Sequence, residues 1–292
     1  MGSPQGLAYG TFCRSASAAS RSGQSHYLRA TRVRLTALVV AAAGGALGWH
    51  LGSVDVWAWV AFVAFLTALA AELVLFATRP ETRWYEARSA AESTKTLSWR
   101  YAVGGDPFPV TADAADMRAT FLAQLASVAR ALGSDFPLPV DGGETQITAD
   151  MDALRRAPFV DRKSRYLQGR IQDQRAWYRA RARTAEGNGQ IFMLSAIALE
   201  LFGVVAAVLR AADIIDFDLL GIISAVVAGA SAWAQTRQYG ATARAYAVAA
   251  HELSSVETLA ESVTEPGWPA FVAEAETAIS REHSLWTSSR RL

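Results

Sequence analysis

Four apolar stretches, at residues 35–51, 56–77, 191–209 and 217–234, constrain this 292-residue chain more than any other feature. Each approaches the roughly 20 residues that a helix needs to cross about 30 Å of hydrocarbon. Backbone polar groups in lipid must be satisfied within the segment, so stretches of this length are helices. Composition agrees: hydrophobic residues make up 51% of the chain and charged residues 19%, which argues against a wholly soluble globular protein. The predicted architecture is an all-α membrane protein, with four transmembrane helices in two antiparallel hairpins and long cytoplasmic helical extensions.

Within each pair the link is short. Gly52-Ser53-Val54-Asp55 leaves no room for a domain, so the first two stretches form a tight hairpin with Asp55 placed to cap the second helix. Residues 210–218 repeat the arrangement, with Asp216 or Asp218 as the cap. Basic residues collect outside the turns: Arg29, Arg32 and Arg34 before the first stretch, and Arg79, Arg83 and Arg88 after the second. Arg175, Arg179, Arg181 and Arg183 precede the third, and Arg237 and Arg244 follow the fourth. The turns hold Arg210 against Asp55, Asp213, Asp216 and Asp218. The positive-inside tendency then predicts a multi-pass protein with both termini and residues 78–190 in the cytoplasm.

Punctuation by Gly and Pro divides the chain into a flexible segment 1–28, a first hairpin with its extension 29–101, a helical connector 102–165, a second hairpin with its extensions 166–264, and a C-terminal amphipathic helix 265–292. The first segment is rich in Ser, Ala and Gly. Residues 81–101 are predicted to continue the second span beyond the membrane until Gly104-Gly105-Asp106-Pro107 stops them. Residues 113–132 and 159–187 read as further helices, 133–143 as a loop, and Gly187-Asn188-Gly189 as the end of a helix.

Two acids interrupt the apolar stretches. Glu200 lies near the middle of the third and Glu72 toward the cytoplasmic end of the second; a lipid-facing charge at mid-span costs several kcal/mol. Both are candidate pore or gating residues, with Leu199, Leu201, Phe202 and Val204 supplying a dry constriction beside Glu200. A glutamic acid hydrogen-bonded between helices is the structural alternative for Glu200, and a structural or interfacial role the alternative for Glu72. Gly44 and Gly48 share a helix face, and Gly221, Ala225 and Gly229 form a second small-residue stripe, suited to close packing within one protomer or between protomers. Trp84-Tyr85 and Trp177-Tyr178 are candidate interfacial aromatics that sit at the headgroups or pack between helices. Arg155, Arg156, Arg162, Lys163 and Arg165, continuing toward Arg170 and Arg175, form the candidate anion-binding surface, although Asp152, Asp161 and Asp173 nearby also fit an ordinary solvated face.

Other chemistries find little support. Twenty-eight basic and 27 acidic residues balance to +1, so no direct DNA binding is expected. A single cysteine, Cys13, forms no internal disulfide and no multi-cysteine zinc site, and His26, His50, His251 and His283 lack metal-ligand spacing. Neither a phosphate loop nor a dinucleotide-binding glycine loop occurs. No enzymatic activity, cofactor or metal is expected.

Arg83-Trp84-Tyr85-Glu86-Ala87-Arg88, continuing through Leu97-Ser98-Trp99-Arg100-Tyr101, resembles the segment after the membrane hairpin in bacterial SLATT-like proteins. Arg170-Ile171-Gln172-Asp173-Gln174-Arg175-Ala176-Trp177-Tyr178-Arg179 is similar to the basic aromatic lead-in of a second two-span module of that group. The resemblance covers about residues 27–262. It implies a bacterial inner-membrane effector in conflict or antiviral defence that opens or perturbs the membrane after a nucleotide-dependent signal. The expected function is a regulated homo-oligomeric pore or ion channel responding to a signalling nucleotide or a cytoplasmic sensor protein. The alternative is a non-conducting scaffold or adaptor that recruits a cytoplasmic partner.

Overall fold

A computed structural model describes residues 6–47, 50–51, 53–132, 145–215 and 218–288, without the side chains of 50 and 281–288. Helix α1 (Thr11–Ala46) starts inside the segment expected to be flexible. Phe12, Cys13 and Ala16 on its first turns are buried. The small residues that suggest disorder here serve close packing: a Cβ on Gly23 would lie 3.1 Å from the Cα of Trp84.

The first apolar stretch is shorter as a helix than expected. Helix α1 ends at Ala46, and the next residues enter a two-residue ladder in which β1 (His50–Leu51) pairs antiparallel with β2 (Val54–Asp55). Between Arg34 and Ala46 the helix rises only about 18 Å. Val56–Thr78, Phe159–Ala211 and Leu219–Ser262 are the helical runs among the described residues that are long and apolar enough to cross a membrane. The fold is therefore all-α in its spans, with three candidate membrane-crossing helices where four were predicted.

Helix α2 (Val56–Thr78) begins where predicted, because the Asp55 carboxylate accepts hydrogen bonds from the N–H groups of Trp57 and Ala58 at 3.0 and 3.2 Å. It does not run on into the next segment. Arg79 adopts a left-handed backbone with φ 40° and closes α2, and Pro80 opens α3 (Pro80–Val103) from the position where a missing N–H costs nothing. Asp113 caps α4 (Ala114–Arg130), and Thr148 caps α5 (Ala149–Arg156).

The predicted break at Gly187-Asn188-Gly189 is absent. After α6 (Phe159–Tyr166) and a π-helical segment at Leu167–Gln172, α7 (Asp173–Ala211) carries the charged lead-in and the third apolar stretch as one helix. Gly189 is used for proximity, since a Cβ there would come within 3.3 Å of the Tyr239 side chain. Helix α8 (Leu219–Arg237) is capped by Asp218, whose carboxylate accepts from Gly221 N–H at 2.9 Å. Gln238, at φ 48°, ends it before α9 (Tyr239–Ser262). A 3-10 turn at Glu265–Gly267 leads into α10 (Trp268–Ser288). The predicted loop at 133–143 and the alternative cap Asp216 lie outside the described residues.

The chain divides into two units. One contains Met1–Gly23, Glu81–Ala182 and Arg244–Leu292, and the other contains Gln24–Pro80 and Arg183–Ala243. The first, the helical unit, has an aromatic core in which Trp99, Tyr101, Phe108, Phe121, Tyr166 and Trp268 are essentially inaccessible. The second, the membrane unit, carries the three most apolar helical segments and leaves their long aliphatic and aromatic side chains on the outside. An outside of this composition is stable only against lipid or another protein.

Candidate functional site

In the membrane unit, the two acids of the apolar helices have different surroundings. Glu72 on α2 forms an ion pair with Arg34 on α1. Hairpin register makes the partner understandable, because Arg34 and Glu72 are equidistant in sequence from Ser53 at the turn. Glu200 stands exposed on α7 among exposed Leu201, Phe202 and Val204, with Leu199 half-buried. The structure does not join the two acids: among the described residues Glu200 has no hydrogen bond or ion pair to Glu72.

The small residues divide according to what faces them. At Gly44 an added Cβ would meet the Trp57 carbonyl oxygen at 3.0 Å and the Ala61 Cβ at 3.2 Å, so this glycine lets α1 approach α2. Gly229 of α8 faces the Val39 side chain of α1. Both positions pack within one protomer. Gly221 serves the Asp218 cap, Ala225 is half-buried on α8, and Gly48 lies outside the described residues. Two further contributors went unrecognised in the sequence. Gly203 on α7 lies 3.4 Å from Ile223 when a Cβ is added, and Arg32 stacks over the Trp233 ring with 5.1 Å from guanidinium carbon to centroid. An i, i+3 and i+4 comparison of α7 and α8 would have flagged the glycine, whereas the cation–π contact needs the tertiary fold.

The candidate anion-binding residues are used inside the helical unit instead of forming one open patch. Arg155 donates to the carbonyl oxygens of Tyr101, Phe108 and Pro109 at 2.8–2.9 Å. Burial lowers its pKa below the ordinary arginine value, with the Tyr101 side chain acting in the opposite direction. Arg162 is buried; its Nη1 donates to the Val103 carbonyl at 3.0 Å and its Nη2 to Glu265 at 2.8 Å. Lys163 donates to the Val263 carbonyl at 2.9 Å, and Arg165 donates to Gly6 O at 3.1 Å and lies 3.5 Å from Asp150. Arg156 alone of the five is exposed. These donors satisfy carbonyls at the ends of helices and turns, where the backbone has no partner of its own.

The continuation of this run at Arg170 is also used internally, with an acidic partner, Glu276, that the sequence did not reveal. Arg170, in the π-helical segment, pairs with Glu276 on α10 through Nε to Oε1 at 3.0 Å and Nη2 to Oε2 at 2.8 Å. Tyr166 hydroxyl donates to the same carboxylate at 3.1 Å, and Thr96 hydroxyl donates at 2.8 Å. Burial acts to lower the Arg170 pKa, but the Glu276 carboxylate holds it well above the ordinary arginine value. Burial, reinforced by Glu276, raises Tyr166 well above the ordinary tyrosine value. The extra residue of a π-helical turn re-aims side chains, and here both Arg170 and Ile171 point inward.

The aromatic pairs also pack mainly inward. Trp84 is buried, stacks on Tyr85 at 4.9 Å between centroids, and backs onto Gly23. Tyr85 hydroxyl donates to Glu81 at 2.9 Å. Tyr178 is buried against Tyr246, while Trp177 keeps a 38% exposed face and contacts Tyr246 and the Arg181 guanidinium. Of the two placements left open by the sequence, packing between helices applies to Trp84 and Tyr178.

Two family models match the chain. Residues 11–163 match SMODS and SLOG-associating 2TM effector domain 3, and residues 166–286 match SMODS and SLOG-associating 2TM effector domain 1. No curated protein and no solved structure matches. The matched segments abut just before the π-helical turn, and Thr96–Glu276 and Arg162–Glu265 each bridge one segment to the other. The first match alone covers more than half of the chain, and the second repeats the same kind of module. The chain therefore belongs to the SLATT family of two-transmembrane effector domains associated with conflict systems, and it carries two of them.

Proposed function

We propose that this chain is a regulated effector of the inner membrane that assembles with copies of itself into an ion-conducting pore. Both termini and the helical unit face the cytoplasm. The short apolar part of α1 acts as a fourth crossing, with exposed Arg29 reaching toward the interface to relieve its mismatch with the longer α2. Two hairpins then share one orientation, a topology that the distribution of arginines supports.

The observation that carries this reading is the exposed Glu200 on the most apolar part of α7. A carboxylate at that depth is stable beside water or another protein, not beside lipid tails. A single chain leaves it outside, so a second copy is the economical source of both. The helical unit, in turn, is the element placed to receive a cytoplasmic signal, and the SMODS and SLOG association in the family description points to a sensor protein or its nucleotide product as the source. No catalytic step is required of this chain.

Conductance from purified protein reconstituted in planar bilayers tests the reading. Discrete openings that appear with the cytoplasmic sensor and its nucleotide product support it. An inserted chain that recruits the sensor yet never conducts across a range of voltages and lipids would instead be an adaptor.

A further inference from the structure

Helices α1 and α2 do not close on each other along their whole length. A groove of about 730 Å³ opens between them on the membrane unit, floored by Ala37 and Ala64 and walled by Val33, Val40, Trp59 and Val63. Both alanines are nearly inaccessible, while all four wall residues are exposed. Arg32 is the sole charged residue in the lining. Arg34, two residues on, is occupied by Glu72, but among the described residues no carboxylate pairs with Arg32. Its guanidinium face rests on Trp233, which leaves the in-plane N–H groups for an acceptor.

Helix α7 presents the complement. Met193, Ile197, Leu201, Val204 and Val208 are exposed and recur at helical spacing, so they form one apolar stripe, and Glu200 lies within it. The stripe rises about 22 Å and the α2 wall of the groove, from Val56 to Thr67, about 16 Å. One surface is thus apolar with a lone cation, and the other is apolar with a lone anion. A helix Cβ tilts toward the N-terminus, which in α7 carries the Glu200 carboxylate toward the cytoplasmic side, the side from which Arg32 enters the groove.

We infer that the α7 stripe of one protomer seats in the α1/α2 groove of the next, with Glu200 paired to Arg32 of the neighbouring copy. This deepens the pore reading and rests on its premise of self-assembly. Each copy contributes a groove and a stripe, so the contact is heterologous, and copies sharing one membrane orientation close into a ring. The pairing neutralises two charges that would otherwise each face lipid.

Cross-linking of the full chain in native-like lipid tests the inference. In a Cys13→Ala background, Val63→Cys and Leu201→Cys place one thiol on the groove wall and one on the stripe. Mild oxidation is expected to give a ladder extending beyond dimers, because every protomer carries both partners. Glu200→Gln or Arg32→Gln should slow the ladder about tenfold, and the two together should slow it no further than either alone. Three results would overturn the pairing: oligomers detected by native mass spectrometry without a cross-linked ladder, slowing that multiplies in the combined variant, or a phospholipid retained stoichiometrically in the groove. In each of those cases self-assembly survives and only the partner assignment fails. A chain that inserts and stays monomeric in every lipid overturns the assembly reading as well.

Discussion

Arg170 and Glu276 form an ion pair from which water is shut out: the side chains are 3% and 0% exposed and approach to 2.8 Å. Thr96 and Tyr166 complete the carboxylate's hydrogen bonds, so helices from both family modules converge on one buried charge. Removing one member leaves the other buried and unpaired. Arg170→Met or Glu276→Leu alone should lower the unfolding free energy of the helical unit by about 3–5 kcal/mol. The double variant should recover most of that loss, and denaturant unfolding followed by tryptophan fluorescence would read the difference. A double variant as unstable as the sum of the single ones would show that the pair acts through something other than mutual neutralisation.

Arg162 and Arg156 stand six positions apart in one basic run, yet one is buried and the other exposed. Val103 O accepts from both Arg162 Nη1 and Trp268 Nε1, and the same guanidinium also reaches Glu265 and Ala157 O. A lysine ammonium cannot reproduce that fork. Arg162→Lys should cost about 1.5–3 kcal/mol through lost charge-assisted hydrogen bonds. Arg156→Gln should stay within about 0.5 kcal/mol of the parent, as surface changes usually do. Equal effects at the two positions would remove the distinction drawn from burial.

Those two arginines also show how far the sequence could be read. The spacing of apolar and acidic residues was enough for the α2 start at Asp55 and narrowed the α8 start to Asp216 or Asp218, of which the structure shows Asp218, because an N-cap is a local interaction. It was enough for the third and fourth stretches as helices, since lipid leaves few alternatives. It was not enough for residues 11–28, where alanine and serine look alike whether they face solvent or lie against Trp84. Nor could it tell an inward Arg162 from an outward Arg156, because a basic residue's partner here is a carbonyl or a carboxylate about 60–100 positions away. Glu276 was invisible for the same reason: nothing in its own helix marks it as the acid that completes Arg170. The apolar setting of Glu200, by contrast, was legible from the neighbouring residues alone.

Gly44 and Gly45 are neighbours with opposite environments. A methyl at Gly44 would press on the Trp57 carbonyl and on the Ala61 backbone nitrogen at 3.0 and 3.2 Å, whereas a methyl at Gly45 meets nothing within 4 Å. Gly45→Ala should therefore stabilise the helix by up to about 1 kcal/mol through propensity. Gly44→Ala should lose that gain and destabilise by about 1–3 kcal/mol, because the backbone of α2 cannot yield as a flexible side chain would. Thermal unfolding in detergent or nanodiscs would order the three proteins as Gly45→Ala above parent above Gly44→Ala. The reverse order would mean that α1 and α2 do not pack at this register.

Cys13 and Tyr9 give the helical unit an alkaline limit. Burial pushes the Cys13 thiol from 9.0 up to about 11, and burial pushes Tyr9 from 10.0 up to about 12, although Arg170 acts against the second shift. In both cases the folded pKa lies above the unfolded one, so folding favours the protonated form. The stabilisation is complete below the unfolded value and is lost as pH rises through the folded value. For Cys13, which is 1% exposed, the window runs from pH 9 to about 11 and the loss comes to about 2–3 kcal/mol. The denaturation midpoint of the wild-type chain should fall across that window, and Cys13→Ala should flatten the early part of the fall while leaving the later part, from pH 10 to about 12, to Tyr9. The same burial predicts that a thiol reagent at pH 8 labels the folded chain far more slowly than the unfolded one. Labelling as fast as a free cysteine would place Cys13 outside the core and remove this source of pH dependence.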